Sequence, residues 1–381
     1  MLTETDIAEL TVLRRELHRR PEVSGAEKDT AAVIAEALHA LRPDQVITGL
    51  GGHGIAAVFE GQHAGPTVMI RCELDGLPIK EDSDVAWASE VPGQGHLCGH
   101  DGHMAMVLGV GRVFAVQRPT CGRVVLLFQP AEEDGSGARA VAADPKFEAI
   151  APDWAFAIHN LPGVRLGDVA LRVGLMNPAS QGLQIALFGK AAHAAAPETG
   201  ISPGVVMAGL IPVLGALGDG GELTDTFSLS TVTHAQLGVP SFGIAPGDAV
   251  INVTLRAATD QALAEMVATA AGLARDAAAQ AGLRVEITDH DVFAASVNGA
   301  DAADVAVRAL DAVGVTHSSA AVPMRASEDF GVFGHHAKAA MLCLGSGVDQ
   351  PALHNPNFDF PDALIPVGKS IFPRIVGDLL G

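Results

Sequence analysis

Tyrosine is absent from the 381 residues, aromatic side chains make up only 4%, and cysteine occurs four times. With so few rings, the core must be filled by Ala, Val, Leu and Ile. Four cysteines in a chain this long (Cys72, Cys98, Cys121 and Cys343) exclude a disulfide framework and fit reduced thiols in a cytoplasmic protein. Basic residues are scarce too: 24 Lys and Arg stand against 44 Asp and Glu, a formal net charge of −20. Nucleic acid is therefore not an expected partner, because binding phosphates takes clustered cations. No uninterrupted apolar run is long enough to span a bilayer, so no membrane partner is expected. The opening residues, MLTETDIAEL, show neither the basic nor the apolar region of a signal peptide.

The residues that are present describe a folded chain. Hydrophobic residues make up 48% and charged ones 18%, a globular balance. The length favours two domains over one core. Ile7, Leu10, Leu13 and Leu17 recur at helical spacing over Thr5–Arg20, and a second helix is expected from Ala26 to Leu41. Four short apolar runs read as buried strands: Thr67–Cys72, Arg123–Phe128, Trp154–Ile158 and Ala339–Leu344. A helix over Met104–Val116 separates the first two. This alternation predicts an α/β domain with a mixed, largely parallel sheet. The middle reads differently, with strands at Ser180–Phe188 and Val250–Ala257 and helices at Pro203–Leu217 and Asp260–Ala281. It is expected to be a smaller inserted α+β domain, residues 178–290, with 1–177 and 291–381 forming the catalytic domain.

Chemistry-bearing residues cluster just after the strands, where α/β sheets bind ligands. The densest segment is His96-Leu-Cys98-Gly-His100-Asp101-Gly-His103. Thiolate, imidazole and carboxylate are the ligand set of divalent transition metals. The glycines allow Cys98 and His100 to converge, and Asp101 is placed to orient a ligand imidazole. For His96 and His103 a packing role weighs at least as much as ligation. In Gln129-Pro-Ala-Glu132-Glu133, two adjacent carboxylates repel unless a cation sits nearby. One can bind metal while the other activates water. His159 and His354 each follow a strand, where a lone histidine is more often a satisfied polar group than a ligand. Glu328 and Asp329 either support the site or cap a helix. A nucleophilic Cys98 beside a histidine is also chemically possible, but it leaves Glu132, Glu133 and His354 without a role. A non-catalytic metal-binding protein would not need Glu132.

Taken together, Leu17-His-Arg-Arg-Pro-Glu22, Arg71-Cys-Glu-Leu-Asp-Gly-Leu-Pro78, the Cys98–His103 segment, Phe128-Gln-Pro-Ala-Glu-Glu133, Ser327-Glu-Asp-Phe330 and Leu353-His-Asn-Pro-Asn-Phe358 resemble the M20 metallopeptidase family along nearly the whole chain. The likeness is to its amidohydrolase branch of hippurate hydrolases, aminoacylases and auxin-conjugate hydrolases. The resemblance implies two divalent ions held by Cys98, His100, Glu133, His159 and His354, with Cys98 bridging; thiolate, imidazole and carboxylate together fit Zn, Mn, Co or Ni. It implies Glu132 as general base and Asp75 as a supporting residue behind the ligands. The inserted domain resembles the family's lid and dimerisation domain. There His193, in Gly189-Lys-Ala-Ala-His193, matches a histidine that stabilises the oxyanion in a partner's site. Arg256 matches an arginine that binds a substrate carboxylate, which a bidentate contact suits; a plain strand-surface charge is an equal reading. A homodimer acting on a small-molecule amide is the expectation, with a dipeptidase or carboxypeptidase as the alternative. Glu198, Ser202 and the segment Phe242-Gly-Ile-Ala-Pro246 depart from the family's pattern, which leaves the usual amino-acid specificity open.

Overall fold

The computed structural model describes residues 2–381. They divide into two compact units, 2–176 with Ser296–Pro323 and Glu328–Gly381, and Asn177–Ala295 with Met324–Ser327. The membership of Met324–Ser327 in the second unit was not expected from local pattern, since it depends on contacts distant in sequence. Among the described residues, no helix is long and apolar enough to cross a membrane.

In the first unit the chain forms α1 (Glu4–Arg19), α2 (Lys28–Ala40), β1 (Gln45–Leu50), β2 (Gly54–Glu60), β3 (His63–Glu73), α3 (His100–Val116), β4 (Cys121–Gln129), α4 (Gly137–Ala143) and β5 (Trp154–Pro162). The short β6 (Val169–Ala170) follows. The second unit holds β7 (Ala179–Phe188), α5 (Gly204–Gly215), β8 (Ser228–Leu237), β9 (Asp248–Ala257), α6 (Asp260–Gln280) and β10 (Arg284–Phe293). Then α7 (Ala300–Val313), β11 (His317–Ser318), β12 (Lys338–Gly347) and α8 (Ile365–Leu380) complete the first unit.

Eight strands of the first unit form one sheet in the order β1-β2-β4-β3-β5-β12-β6-β11. Its centre is parallel: β3 pairs with both β4 and β5, and β12 with β5. The hairpin β1–β2 and the β2–β4 pair are antiparallel. The parallel strands are buried on both faces and so read as unbroken apolar runs, such as Val124–Phe128, all fully buried. Helix α3 carries no charge between Asp101 and Arg112, and its residues 100–111 are buried, as an element enclosed on all sides must be.

Two local readings change. Helix α3 begins at His100, not Met104, so the Cys-Gly-His-Asp-Gly-His motif straddles its start. Gly99 turns the chain with φ 94°, and at Gly102 a Cβ would lie 2.3 Å from the Phe360 ring. These glycines serve a tight turn and a close approach, not a loop. Strand β5 also continues through His159, opposite Cys343, so His159 belongs to the strand instead of following it.

The second unit is a four-stranded antiparallel sheet, ordered β8-β9-β7-β10, with α5 and α6 packed on one face. Alternate residues of β9, Ala249, Ile251, Val253, Leu255 and Ala257, are buried toward the helices, the period of a strand with one covered face.

Candidate metal centre

The carboxyl ends of β3, β4 and β5 and the start of α3 bring the expected ligands together. His100 Nδ1 lies 2.8 Å from the Asp75 carbonyl and 3.4 Å from its Oδ1. That contact fixes the ring and leaves Nε2 facing Glu133 Oε1 at 3.8 Å and Glu132 Oε2 at 3.9 Å. His159 is fixed likewise: Nδ1 lies 2.8 Å from the Asn160 carbonyl, and Nε2 is 3.5 Å from Cys98 Sγ. His354 arrives from the loop after β12, with Nε2 3.4 Å from Glu133 Oε2. It is the one half-exposed member and has φ 66°, an uncommon backbone for a non-glycine residue. Its N–H donates to the Leu97 carbonyl at 2.8 Å, tying this loop to the Cys98 segment.

These atoms sort into two triads with a common member. Potential ligand atoms of Cys98, His100 and His159 lie within 4.8 Å of one another, and so do those of Cys98, Glu133 and His354. Glu132 falls into two further groups, one with His100 and Glu133, the other with Glu328 and Asp329.

The turn that presents Glu132 and Glu133 is held from several sides. Glu133 N–H donates to Asp75 Oδ2 at 3.0 Å, and Ala131 N–H to Glu27 Oε1 at 2.8 Å. Ala131 has φ 50°. Gly137 closes the turn where no side chain fits: a Cβ there would lie 1.6 Å from the Pro130 carbonyl oxygen.

Beneath the turn, Arg71 is fully buried among carboxylates. It pairs with Glu73, with Asp329 at 2.6 Å and with Glu328 at 3.1 Å. Gln129 donates to both oxygens of Asp329 at 2.9 and 2.8 Å. Glu328 and Asp329 thus support the site from below. His103 lies 2.7 Å from Glu73 through Nδ1, and its Nε2 accepts the Asn160 N–H at 3.0 Å. With both nitrogens engaged it packs and bridges. His96 is buried in none of the triads, and burial pushes its pKa down to about 4.

Asp101 differs from expectation. Its carboxylate does not orient a ligand imidazole; Oδ2 lies 2.8 Å from His18 Nδ1 and 2.7 Å from Arg14 Nε. The helical turn after Gly99 points its side chain toward α1. Local pattern gives no role to Arg14, His18 or Arg71. In α1 the helical stripe that holds the buried Leu10 and Leu17 includes Arg14 and His18, and that shared stripe was the available signal.

The electrostatics fit a cation. Burial, then repulsion from Glu328 and Glu133, raises the Glu132 pKa well above the usual carboxylate range. Burial raises Glu133 to about 7, against the pull of His100. Burial alone would lower His100, but the carboxylates of Asp75, Glu73 and Glu133 raise it to about 10. His100 Nε2 and Glu133 Oε1 are both buried without a hydrogen-bond partner, a costly state that divalent ions held at the two triads would relieve. The donor set and these two orphaned atoms fit metal binding.

In the second unit, His193 lies in a two-stranded ribbon opposite Ile244, and its Nδ1 accepts the Ala195 N–H at 3.0 Å. Arg256, on β9, donates to Ser327 Oγ at 2.6 Å and to the Arg325 carbonyl at 3.1 Å. Neither of these partners is a carboxylate.

The chain is similar in sequence and in fold to several known proteins. The chain is 29% identical to an N-acetyldiaminopimelate deacetylase of Exiguobacterium sibiricum over 364 residues, 93% of this chain and 95% of that protein. It is 36% identical to an N-acetyl-L-cysteine deacetylase of Bacillus subtilis over 211 residues, 54% of this chain and 49% of that one. The fold matches the crystal structure of the Bacillus subtilis YXEP protein, described as a dinuclear metal binding peptidase, with a TM-score of 0.81 and 24% identity over 99% of each chain. It also matches an aminobenzoyl-glutamate utilization protein from Klebsiella pneumoniae (TM-score 0.78, 23% identity, 98% of this chain and 97% of that one). The sequence model of peptidase family M20/M25/M40 matches residues 69–378, and the chain belongs to that family.

Proposed function

We propose that this chain is a metal-dependent amidohydrolase that cleaves the amide bond of small N-acyl amino acids or related amides, releasing a carboxylic acid and an amine or free amino acid. The observation that carries this reading is the pair of ligand triads that share Cys98, with Glu132 beside them. Cys98, His100, Glu133, His159 and His354 would hold two divalent ions, zinc, manganese, cobalt or nickel, with Cys98 common to both. Bound there, such ions supply Lewis acidity that acidifies water and polarises a carbonyl.

Glu132 takes a proton from the attacking water and returns it to the leaving nitrogen. Its raised proton affinity, set by burial and by Glu328 and Glu133, suits that task. Asp75 and the Asn160 carbonyl keep His100 and His159 turned with Nε2 inward. His193 is assigned to the tetrahedral oxyanion in the site of a partner chain, as a hydrogen-bond donor. Arg256 is assigned to a substrate carboxylate; its present partners are two neutral oxygens, which leaves its charge free for one. Cys98 is not a nucleophile in this scheme, since its thiol is buried and that role uses neither Glu133 nor His354.

The same proposal includes a homodimer formed through the second unit. Helix α5 carries no charged residue and exposes Val205 (85%) and Val213 (44%). Next to it β8 is an edge strand, exposed over most of its second half. An apolar helix beside an unpaired strand edge is the surface a second copy would cover. All four cysteines are unpaired, which favours a cytoplasmic location. The names of the deacetylase relatives and the enclosed ligand set support small N-acyl amino acids as substrates.

Hydrolysis of a panel of N-acetyl, N-benzoyl and longer N-acyl amino acids alongside dipeptides tests the reading. Turnover of N-acyl amino acids above dipeptides is expected. Preference for dipeptides would reassign the chain to peptide-bond cleavage by the same groups.

A further inference from the structure

Arg14 is fully buried on α1, yet it joins two segments that carry proposed metal ligands. On one side its Nε lies 2.7 Å from Oδ2 of Asp101, the residue after His100. On the other its Nη2 pairs with Asp359, in the loop that carries His354, and Nη1 reaches Asp362 at 3.5 Å. His18, one turn along α1, adds a second hold on Asp101 at 2.8 Å and reaches Glu81 at 3.2 Å. Phe360, next to Asp359, lies directly on Gly102. Trp87 donates to Asp359 at 3.2 Å.

The proposed chemistry uses none of these groups. A fully buried arginine–carboxylate pair is weak as a source of stability, because desolvation cancels much of the attraction. Its better attested use is to select one arrangement of the segments it joins. Here those segments are the first turn of α3, with His100, and the 353–360 loop, with His354.

We propose that Arg14 is a positioning residue that ties the His100 segment to the His354 loop through Asp101 and Asp359, and so holds the two ligand triads in register for two divalent ions. The inference rests on the metal reading given above. It concerns geometry, so its first readout is metal affinity.

The test is calorimetric titration of the metal-free full-length protein with Mn²⁺, in the wild type and in R14Q, D359N and R112Q, with helix content followed by circular dichroism. Arg112, about three turns along α3 from His100, also joins α3 to α1, through Asp6 and Glu9 at 2.7 and 2.8 Å, but it pairs with neither Asp101 nor the 353–360 loop. Wild type and R112Q are expected to bind two Mn²⁺ with affinities within about twofold of each other. R14Q should retain its helix content and bind at least one ion about tenfold more weakly, the scale seen when outer partners of metal ligands are removed. If R14Q does not fold, D359N, whose side chain is partly exposed, gives the same reading from the other end of the tie. Wild-type Mn²⁺ affinity in R14Q and D359N would overturn the proposal, as would an equal loss in R112Q, which would mean that any loosening of α1 suffices. A wild type that binds no Mn²⁺ would overturn the metal reading itself, and this inference with it.

Discussion

His100 Nε2 lies 3.8 Å from Glu133 Oε1, both atoms are buried, and neither has a hydrogen-bond partner. Proteins rarely leave two such atoms facing each other, because each buried unsatisfied group costs about 1–3 kcal/mol and more when charged. Divalent ions held at the two triads, His100 in one and Glu133 in the other, would resolve the cost. Glu132, 3.9 Å from the same nitrogen through its own carboxylate, is then free to move a proton.

The division of labour between the two glutamates gives the first prediction. Glu132→Gln removes the proton acceptor but none of the proposed ligands. It should lower kcat by about 10²–10⁴-fold, the usual worth of general acid–base catalysis, while the purified protein keeps its metal content. Steady-state rates alongside elemental analysis check this. A near wild-type rate would remove Glu132 from the mechanism.

Cys98 belongs to both triads, whereas His354 belongs to one. Cys98→Ser should therefore loosen both ions, and His354→Gln should leave one bound. Both variants should lose more than about 100-fold in activity, beyond the effect of losing an outer partner. Metal content after gel filtration separates the two cases. Equal loss of both ions in the two variants would contradict the shared-ligand arrangement.

Arg71 pairs at once with Glu73, Glu328 and Asp329. Arg71→Met leaves those carboxylates uncompensated in a dry interior. A loss of about 3–5 kcal/mol of stability is expected, typical of breaking a buried ion pair from one side. Urea unfolding measures it. A loss below about 1 kcal/mol would mean that the carboxylates are compensated by something other than Arg71.

His18 predicts a pH dependence. Burial disfavours its charged form, but Asp101 and Glu81 outweigh that and raise its pKa to about 9, above the ordinary value near 6.5. A folded-state pKa above the unfolded one means that the contribution is complete below about pH 6.5 and is lost as the pH rises through about 9. The melting temperature should fall between pH 7 and pH 9.5, and His18→Gln should flatten that window. A wild-type profile no steeper than that of the variant would count against a charged His18.

Much of the site could be read from the sequence because its residues sit beside strong local patterns. Val124–Phe128 is a buried strand by composition, so Glu132 and Glu133 at its end could be placed. Cys98 and His100 lie two apart, and their convergence needs only Gly99. Arg14, Asp101 and Arg71 could not be read so. Their partners lie far along the chain, Asp359 345 positions beyond Arg14 and Asp329 258 positions beyond Arg71. A single charge on a helix or strand looks solvated until the fold supplies its counter-ion. Proximity to His100 suggests that Asp101 orients a ligand imidazole, but in the first turn of a helix adjacent side chains point about 100° apart.

The most direct test of the central claim is to strip the protein with a chelator and follow hydrolysis of its best N-acyl amino acid while Mn²⁺ is added back, with metal bound per chain measured at each step. Two proposed ligand triads predict that activity disappears with the metal and returns as the second ion per chain is bound. Full activity in chelated, metal-free protein would contradict the account.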